Sequence, residues 1–335
     1  MKAANPHFGL VLTGGGAKGA YQAGALMYLA EIGIEPQIVA GTSIGALNGA
    51  VLSAHRPFSY AVRHLNQLWD RLGQSEILRP NTNAALHILS YAAQTFVPTL
   101  REWVLDFLIH QGMLKDSSTI FDPLPIEQML RAAVNPTQLR SGIELWVTVF
   151  PALKIPGLHY DWLIDFVRAK TGTDACWLCV QDVADDAELY NLLLASAAIP
   201  LAFPCRKVND RFYVDGGLAD NVPLRALAAR GCQNAIVIHL ENGAAWNRYD
   251  FPEQTIIEIR PEQPIDKFDT PLLGSVSSLL NFSAERITEL KARGYEDAQR
   301  CLEPIIQTFL TVGSQRQSHN ILLNSTQRLL DDSIL

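Results

Sequence analysis

The chain has 335 residues, 48% of them hydrophobic and 18% charged, which excludes a disordered polymer and supplies ample material for a core. Its net charge of −7, with no lysine-arginine tract to offset it, argues against nonspecific binding to nucleic acid or to strongly anionic membranes. Two domains or one large α/β unit both fit the length.

From the N-terminus, the apolar stretch after Met1 is broken by glycines too soon for a secretory signal. No later run approaches the ~20 apolar residues that span a bilayer. A cytoplasmic location is therefore expected, with peripheral membrane contact allowed and signal-independent export left open. His7 to Thr13 reads as a buried strand, Ala17 to about Ile32 as a helix, the segment ending at Gly41 as a second strand, and Ile44 to about Ala54 as a second helix. That alternation indicates βαβ units around a mostly parallel sheet.

Phe58 to Arg71 predicts another helix, and residues 84–111 one or two more, interrupted near Pro98. Asp122-Pro123 reads as a helix start, with aspartate as cap and proline first. Strands are expected at Leu145–Phe150 and Cys176–Val180, a helix at Asp186–Ala197, and a hairpin around Asn209-Asp210. A helix within Val222–Ala229 and strands at Ala235–Leu240 and Thr255–Ile259 follow. The last helix is expected over Ser275–Leu302, with Ile287, Leu290 and Ala298 on one face. No repeat or low-complexity linker divides the chain, so one domain over residues 1–312 is expected, followed by a polar tail over 313–335.

The five cysteines, Cys176, Cys179, Cys205, Cys232 and Cys301, are odd in number and scattered, which suits a reduced compartment. Cys176 and Cys179 form a CxxC inside a predicted strand, and no second pair or histidine cluster completes a zinc set. Buried small hydrophobes are the expected role.

Three patterns carry chemistry. The first is TGGGAKGA, Thr13 to Ala20, at a strand-to-helix junction. Its glycines let backbone N–H groups converge beside a helix N-terminus, a place that accepts a phosphate or a developing oxyanion. Gly14, Gly16 and Gly19 also match GxGxxG, but the acidic residue a dinucleotide site expects after the second strand is missing, as is the P-loop spacing. The second is Gly41-Thr42-Ser43-Ile44-Gly45, a GxSxG between a strand and a helix. That is the context of a nucleophile elbow, although a glycine-rich turn with a capping serine is the plainer alternative.

A serine hydroxyl needs a base. Of the eight histidines (His7, His55, His64, His87, His110, His159, His239 and His319), His239 stands at a predicted strand end. The third pattern, Asp215-Gly216-Gly217, offers a carboxylate instead, against the alternative of an ordinary turn.

Together these segments resemble the patatin-like phospholipase family. The resemblance rests on GGGAKG at 14–19, GTSIG at 41–45, DGG at 215–217 and SAAIPLAFP from Ser196 to Pro204, and it extends to the ADNVP after DGG and to AERITELKARGYEDA. It covers roughly residues 7–305 and looks similar to bacterial members. It implies a three-layer α/β/α fold with a mainly parallel central sheet, and hydrolysis of fatty-acyl esters of phospholipids or lysophospholipids. Ser43 would be the nucleophile and Asp215 its base, with N–H groups around Gly14, Gly15, Gly16 and Ile44 as the oxyanion hole. Lys18, Gly19, Gly41, Gly45, Gly216 and Gly217 would support the motifs, and no metal or other cofactor is implied.

Lys18 reads equally as a surface salt-bridging residue or as an aid to lipid phosphate. The substrate would be a phospholipid or other acyl lipid met at a membrane surface. One of two apolar stretches would rest there, residues 84–111 or Tyr160, Trp162 and Phe166 within 157–167, although packing on the domain is the plainer role for each. A homo-oligomer is compatible with the sequence. The rival readings are an α/β-hydrolase esterase using His239 or His319, a nucleotide-binding module, and a hydrolase switched on by a small signal or a partner.

Overall fold

FGLVL, a run without a polar side chain, forms strand β1 (Phe8–Leu12), and that pattern suits a strand covered on both faces. The structure is a computed structural model describing residues 8–74, 123–153, 174–200, 203–242, 246–265 and 281–332. After β1 come α1 (Gly19–Glu31), β2 (Ile38–Thr42), α2 (Ile44–Ala54), α3 (Phe58–Gly73), α4 (Leu124–Ala133) and α5 (Pro136–Arg140). They are followed by β3 (Glu144–Pro151), β4 (Cys176–Cys179), α6 (Asp186–Ser196), β5 (Arg206–Val208) and β6 (Arg211–Asp215). The remaining elements are α7 (Leu224–Ala229), β7 (Asn234–Ile238), β8 (Thr255–Ile259) and α8 (Ala284–Asp332).

The strands form one sheet in the order β5-β6-β3-β2-β1-β7-β8, with β4 also paired to β3. The run from β3 to β8 is parallel throughout. β4 and β6 lie antiparallel on β3, and β5 antiparallel on β6. Side chains alternate between two cores, as the period of two requires. Leu10, Leu12, Val39, Leu145, Val147, Ile236 and Ile238 face the larger one, under α1, α2, α3, α6 and α8. Val11, Ile38, Ala40, Ala235 and Val237 face the other, with α7, Trp146, Trp177 and Phe251. Helices therefore cover both faces, giving the expected three layers around a mainly parallel centre.

Helix α1 is apolar nearly all round because it is enclosed between the sheet and α8. The two helices meet backbone to backbone. A Cβ on Gly24 would overlap the carbonyl of Lys291, and one on Gly294 the carbonyl of Tyr21. The Tyr21 hydroxyl donates to buried Asp297 at 2.9 Å, and Tyr28 meets Tyr295 edge to face at 5.5 Å.

Several elements differ from the sequence reading. Helix α8 begins at Ala284, where Ser283 Oγ accepts from the Arg286 N–H at 3.4 Å, and residues 275–280 of the expected helix lie outside the described residues. It runs past Leu302 to Asp332, because the glutamines, arginines and leucines of the polar stretch are good helix formers whatever their hydropathy. Helix α5 was not anticipated, yet Asn135 caps it by accepting from Thr137 and Gln138, with Pro136 in the first turn. At the expected helix start Pro123 takes the cap position, and Asp122 lies outside the described residues. The hairpin forms as expected, with Asn209 and Asp210 both left-handed at φ 46° and 63°. The stretches 84–111 and 157–167 lie outside the described residues.

Replacing Gly294 or Gly24 by valine should separate α1 from α8 and cost about 1–3 kcal/mol or more. Urea unfolding of each variant measures this; an unchanged midpoint would show that the helices do not pack this closely.

Candidate active site

β1 and β2 end side by side, Leu12 opposite Gly41, so the loops that follow them meet at one edge of the sheet. Open α/β sheets hold ligands at such carboxyl ends. Between β2 and α2 the chain turns at Ser43, whose φ of 55° and ψ of −125° are unusual for a side-chain-bearing residue. The turn is so tight that a Cβ on Gly41 would strike the backbone of Gly45, and one on Gly45 the carbonyl of Leu12. Glycine is required at both.

The elbow is fixed from below. The Ser43 N–H donates to Ser196 Oγ at 3.0 Å, and that hydroxyl donates to the Thr148 carbonyl at 2.7 Å. Thr42 Oγ1 donates to Thr148 Oγ1 at 2.9 Å. Strand register then brings in the carboxylate. Thr42 pairs with Thr148 across β2 and β3, and Asp215, at the end of β6, pairs with the neighbouring Val149. Asp215 is thus brought beside Ser43, near enough for the serine hydroxyl to favour its charged form. Its Oδ1 also accepts from the Gly217 N–H at 2.8 Å, and its own N–H donates to the Ala198 carbonyl at 3.0 Å. Burial pushes the Asp215 carboxyl up to about 6, against the lowering effect of the Ser43 and Gly217 hydrogen bonds.

The glycine-rich loop lies over this pair. Gly14 abuts the Ser43 Cβ, and its N–H is taken by Asn221 Oδ1 at 2.9 Å. The N–H groups of Gly15, Gly16 and Ile44 have no hydrogen-bond partner among the described residues. Gly15 packs on Leu240, Gly19 on Ile44 and Trp69, and Gly216 on the backbone of Thr148. Behind the loop, Asn48 donates to the Gly19 carbonyl and to Gln22, while Gln22 donates to the Thr13 carbonyl at 2.8 Å. Trp69 Nε1 closes this buried set by donating to Asn48 at 3.1 Å.

Lys18 is 2% exposed, which rules out its reading as a surface residue. It stands at the entry to α1, which presents no outward face at that end. His239 is fully buried and its Nε2 meets Glu258 at 3.0 Å. Burial, with the charge of Arg260, lowers its ring to about 4, so it is neutral at pH 7, and its contacts run to Glu258 and Trp246 rather than to the elbow.

Ser43, Ile44 and Gly16 line a cavity whose other described walls are Leu47, Pro123, Ile126, Leu194, Ala197, Ile199, Phe203, Pro204, Arg206 and Phe282. A second cavity shares Ile44, Leu47, Ile126 and Phe282 and continues between α2, α3 and α4. Ser43 and Asp215 are each 5% exposed, and of the two Ser43 faces this apolar space.

Sequence reasoning gave Ser196 and Asn221 no role. Both lie in segments that carried the resemblance, but their work is a hydrogen bond to residues 153 and 207 positions away. Cys176 and Cys179 sit half-buried on β4, where burial raises both thiols. Among the described residues no group of three or more His, Cys, Asp or Glu side chains could hold a metal ion, and no helix is long and apolar enough to cross a membrane.

Residues 10–228 match the family model for patatin-like phospholipase. Patatin-like phospholipase domain-containing protein 7 of Mus musculus is 52% identical over 231 residues, 68% of this chain and 13% of that protein. Lysophospholipase NTE1 of Saccharomyces cerevisiae is 23% identical over 230 residues, covering 69% of this chain and 10% of its own length. The chain thus spans a small part of these relatives. Among solved structures, VipD from Legionella pneumophila aligns with a TM-score of 0.43 and 14% identity over 89% of this chain and 67% of that one. With the family model matched from β1 through the elbow and the DGG turn into α7, the chain belongs to the patatin-like phospholipase family.

Proposed function

We propose that the protein hydrolyses fatty-acyl esters of lipids through Ser43 and Asp215. One observation carries the reading: strand register sets the buried Asp215 carboxylate beside Ser43, and Ser43 lines an apolar cavity. Ser43 Oγ attacks the ester carbonyl carbon while its proton passes to Asp215. The tetrahedral oxyanion is held by the N–H groups of Gly15, Gly16 and Ile44, each worth about 3–4 kcal/mol in such a role. Gly14 serves the hole indirectly, since its N–H ties the loop to Asn221. Collapse expels the alcohol with the proton from Asp215. Asp215 then deprotonates water, which attacks the acyl-serine, and the fatty acid leaves as Ser43 regains its proton.

The cavity's walls suit an acyl chain, and delivery of such a substrate implies transient contact with a lipid surface. No histidine is needed. An aspartate raised to about 6 remains ionised at neutral pH while being a better base than an exposed one.

Ser43→Ala and Asp215→Asn should each lower kcat by roughly 10³-fold or more, and the double variant should lose little beyond either, because the pair acts as one unit. His239→Gln should keep most activity. Release of fatty acid from lysophosphatidylcholine measures all four. A His239 variant as inert as the Ser43 variant would favour a triad.

The rate should rise with pH through about 6 and level off above it, because the base must be ionised. A profile flat from pH 5 to pH 8 would exclude Asp215 as that base.

Asp215→Asn should also change stability in a pH-dependent way. The folded carboxyl lies near 6 against 3.8 for the ordinary group, so the wild type loses stability as pH rises between those values. The asparagine variant should therefore gain up to roughly 3 kcal/mol at pH 8 and almost nothing at pH 3. Equal differences at both pH values in urea unfolding would contradict the burial of this charge.

A further inference from the structure

Among the described residues lining the Ser43 cavity, Arg206 alone is charged. A guanidinium against apolar walls needs a partner. The one it has is poor. Arg206 Nη1 stands 3.2 Å from Glu127 Oε2, longer than the about 2.7–2.9 Å usual for a charge-assisted bond.

Glu127 is better held elsewhere. Arg131, one turn further along α4, places Nη2 at 2.9 Å and Nε at 3.2 Å from Glu127 Oε1. Arg131 also lies 4.3 Å over the ring of Tyr190. Burial raises the Glu127 carboxyl, but the Arg131 hydrogen bond and the two nearby cations outweigh it and hold the group below its ordinary value. One anion therefore faces two cations, and the set carries one net positive charge. Arg206 is the loosely held member, with Nε and Nη2 taken by no described residue.

We infer that Arg206 receives the phosphate of a glycerophospholipid whose acyl ester lies at Ser43, so that this side chain sets a preference for phospholipids over neutral acylglycerols. The inference rests on the hydrolase reading above. A long apolar chain with an anion a few atoms beyond the ester matches described walls that are apolar but for one cation. The planar guanidinium can meet two phosphate oxygens at once, and the weak hold of Glu127 is exchanged for that stronger pairing. Glu127 thus acts as a counterweight: it neutralises Arg206 in the empty cavity and competes with the phosphate.

The test compares kcat/KM for 1-oleoyl-lysophosphatidate and for 1-oleoylglycerol in the same mixed micelles, with p-nitrophenyl butyrate as a short neutral ester. Arg206→Gln should lower the phospholipid-to-neutral ratio about tenfold or more, mostly through KM, and Arg206→Lys should recover part of it. Glu127→Gln should raise the ratio. A purely structural ion pair between α4 and β5 predicts the opposite: both variants would weaken together, on both lipids alike, and that result overturns the assignment. Inorganic phosphate added to the oleoylglycerol reaction separates a headgroup site from an activator site, and a rise in that rate also overturns it. Wild-type activity with an unchanged ratio in Arg206→Gln rejects the assignment alone. Wild-type protein inert on all three esters rejects the hydrolase reading, and the assignment with it.

Discussion

The backbone at Ser43 is the constraint from which the rest of the site follows. A side-chain-bearing residue at φ 55° and ψ −125° costs of order 1–3 kcal/mol and persists where its surroundings over-determine it. Here they do. Ser196 accepts the Ser43 N–H, Thr148 accepts from Ser196, and the turn closes against the carbonyl of Leu12 with no room for a side chain at Gly41 or Gly45. Each of these groups comes from a different strand or helix. The elbow is therefore stable only when β1, β2, β3 and α6 are all assembled, and the strain is borne by the whole sheet rather than by a local loop.

The carboxylate is subject to an opposite demand. Water around Asp215 would stabilise its charge and lower its pKa, whereas full exclusion would keep it protonated. The balance struck is burial offset by two donors, the Ser43 hydroxyl and the Gly217 N–H, which leaves the group near 6. Asp220 lies in the same turn and is also raised by burial, yet it accepts from Trp177 Nε1 at 2.8 Å and from the Val222 N–H at 3.1 Å. Those two donors fix the Asp220 carboxylate in place, and they bind the DGG turn to the strand that follows β3. Of the two aspartates, Asp215 is the one in contact with the serine, because it alone ends β6 in register with Val149.

What could be read from the sequence follows from how local the physics is. Strand alternation, the GxSxG turn and the Asn-Asp hairpin are decided within a few residues, so β1, β2, the elbow and the β5–β6 hairpin were legible. The parallel sheet of βαβ units followed from the alternation of strands and helices, and the three layers from the family resemblance. Buried polar partners were not legible: Ser196 and Asn221 look like any small polar residue until the fold closes over 153 and 207 positions. Lys18 misled because charge predicts exposure, and only the packing of α1 against α8 shows that this end of the helix has no outer side. Beyond Gly313 the polar composition suggested only a weak helix in a tail, whereas α8 continues unbroken to Asp332, since helix propensity does not depend on hydropathy.

The apolar cavity and the glycine-rich loop are parts of one body. Phe282 lines both cavities and stacks on Trp69 with centroids 6.0 Å apart. Trp69 donates to Asn48, Asn48 to the Gly19 carbonyl and to Gln22, and Gln22 to the Thr13 carbonyl at the root of the loop. Every link is a buried hydrogen bond or ring contact, and an unpaired member would cost about 1–3 kcal/mol, so no link yields cheaply. The wall that would receive an acyl chain is thereby held in fixed relation to the amides that would receive the oxyanion. Preorganised amides lower a barrier because they need not reorient as charge develops. In this fold the glycine-rich loop is held in place by aromatic and amide side chains of α1, α2 and α3, and not by the glycines themselves.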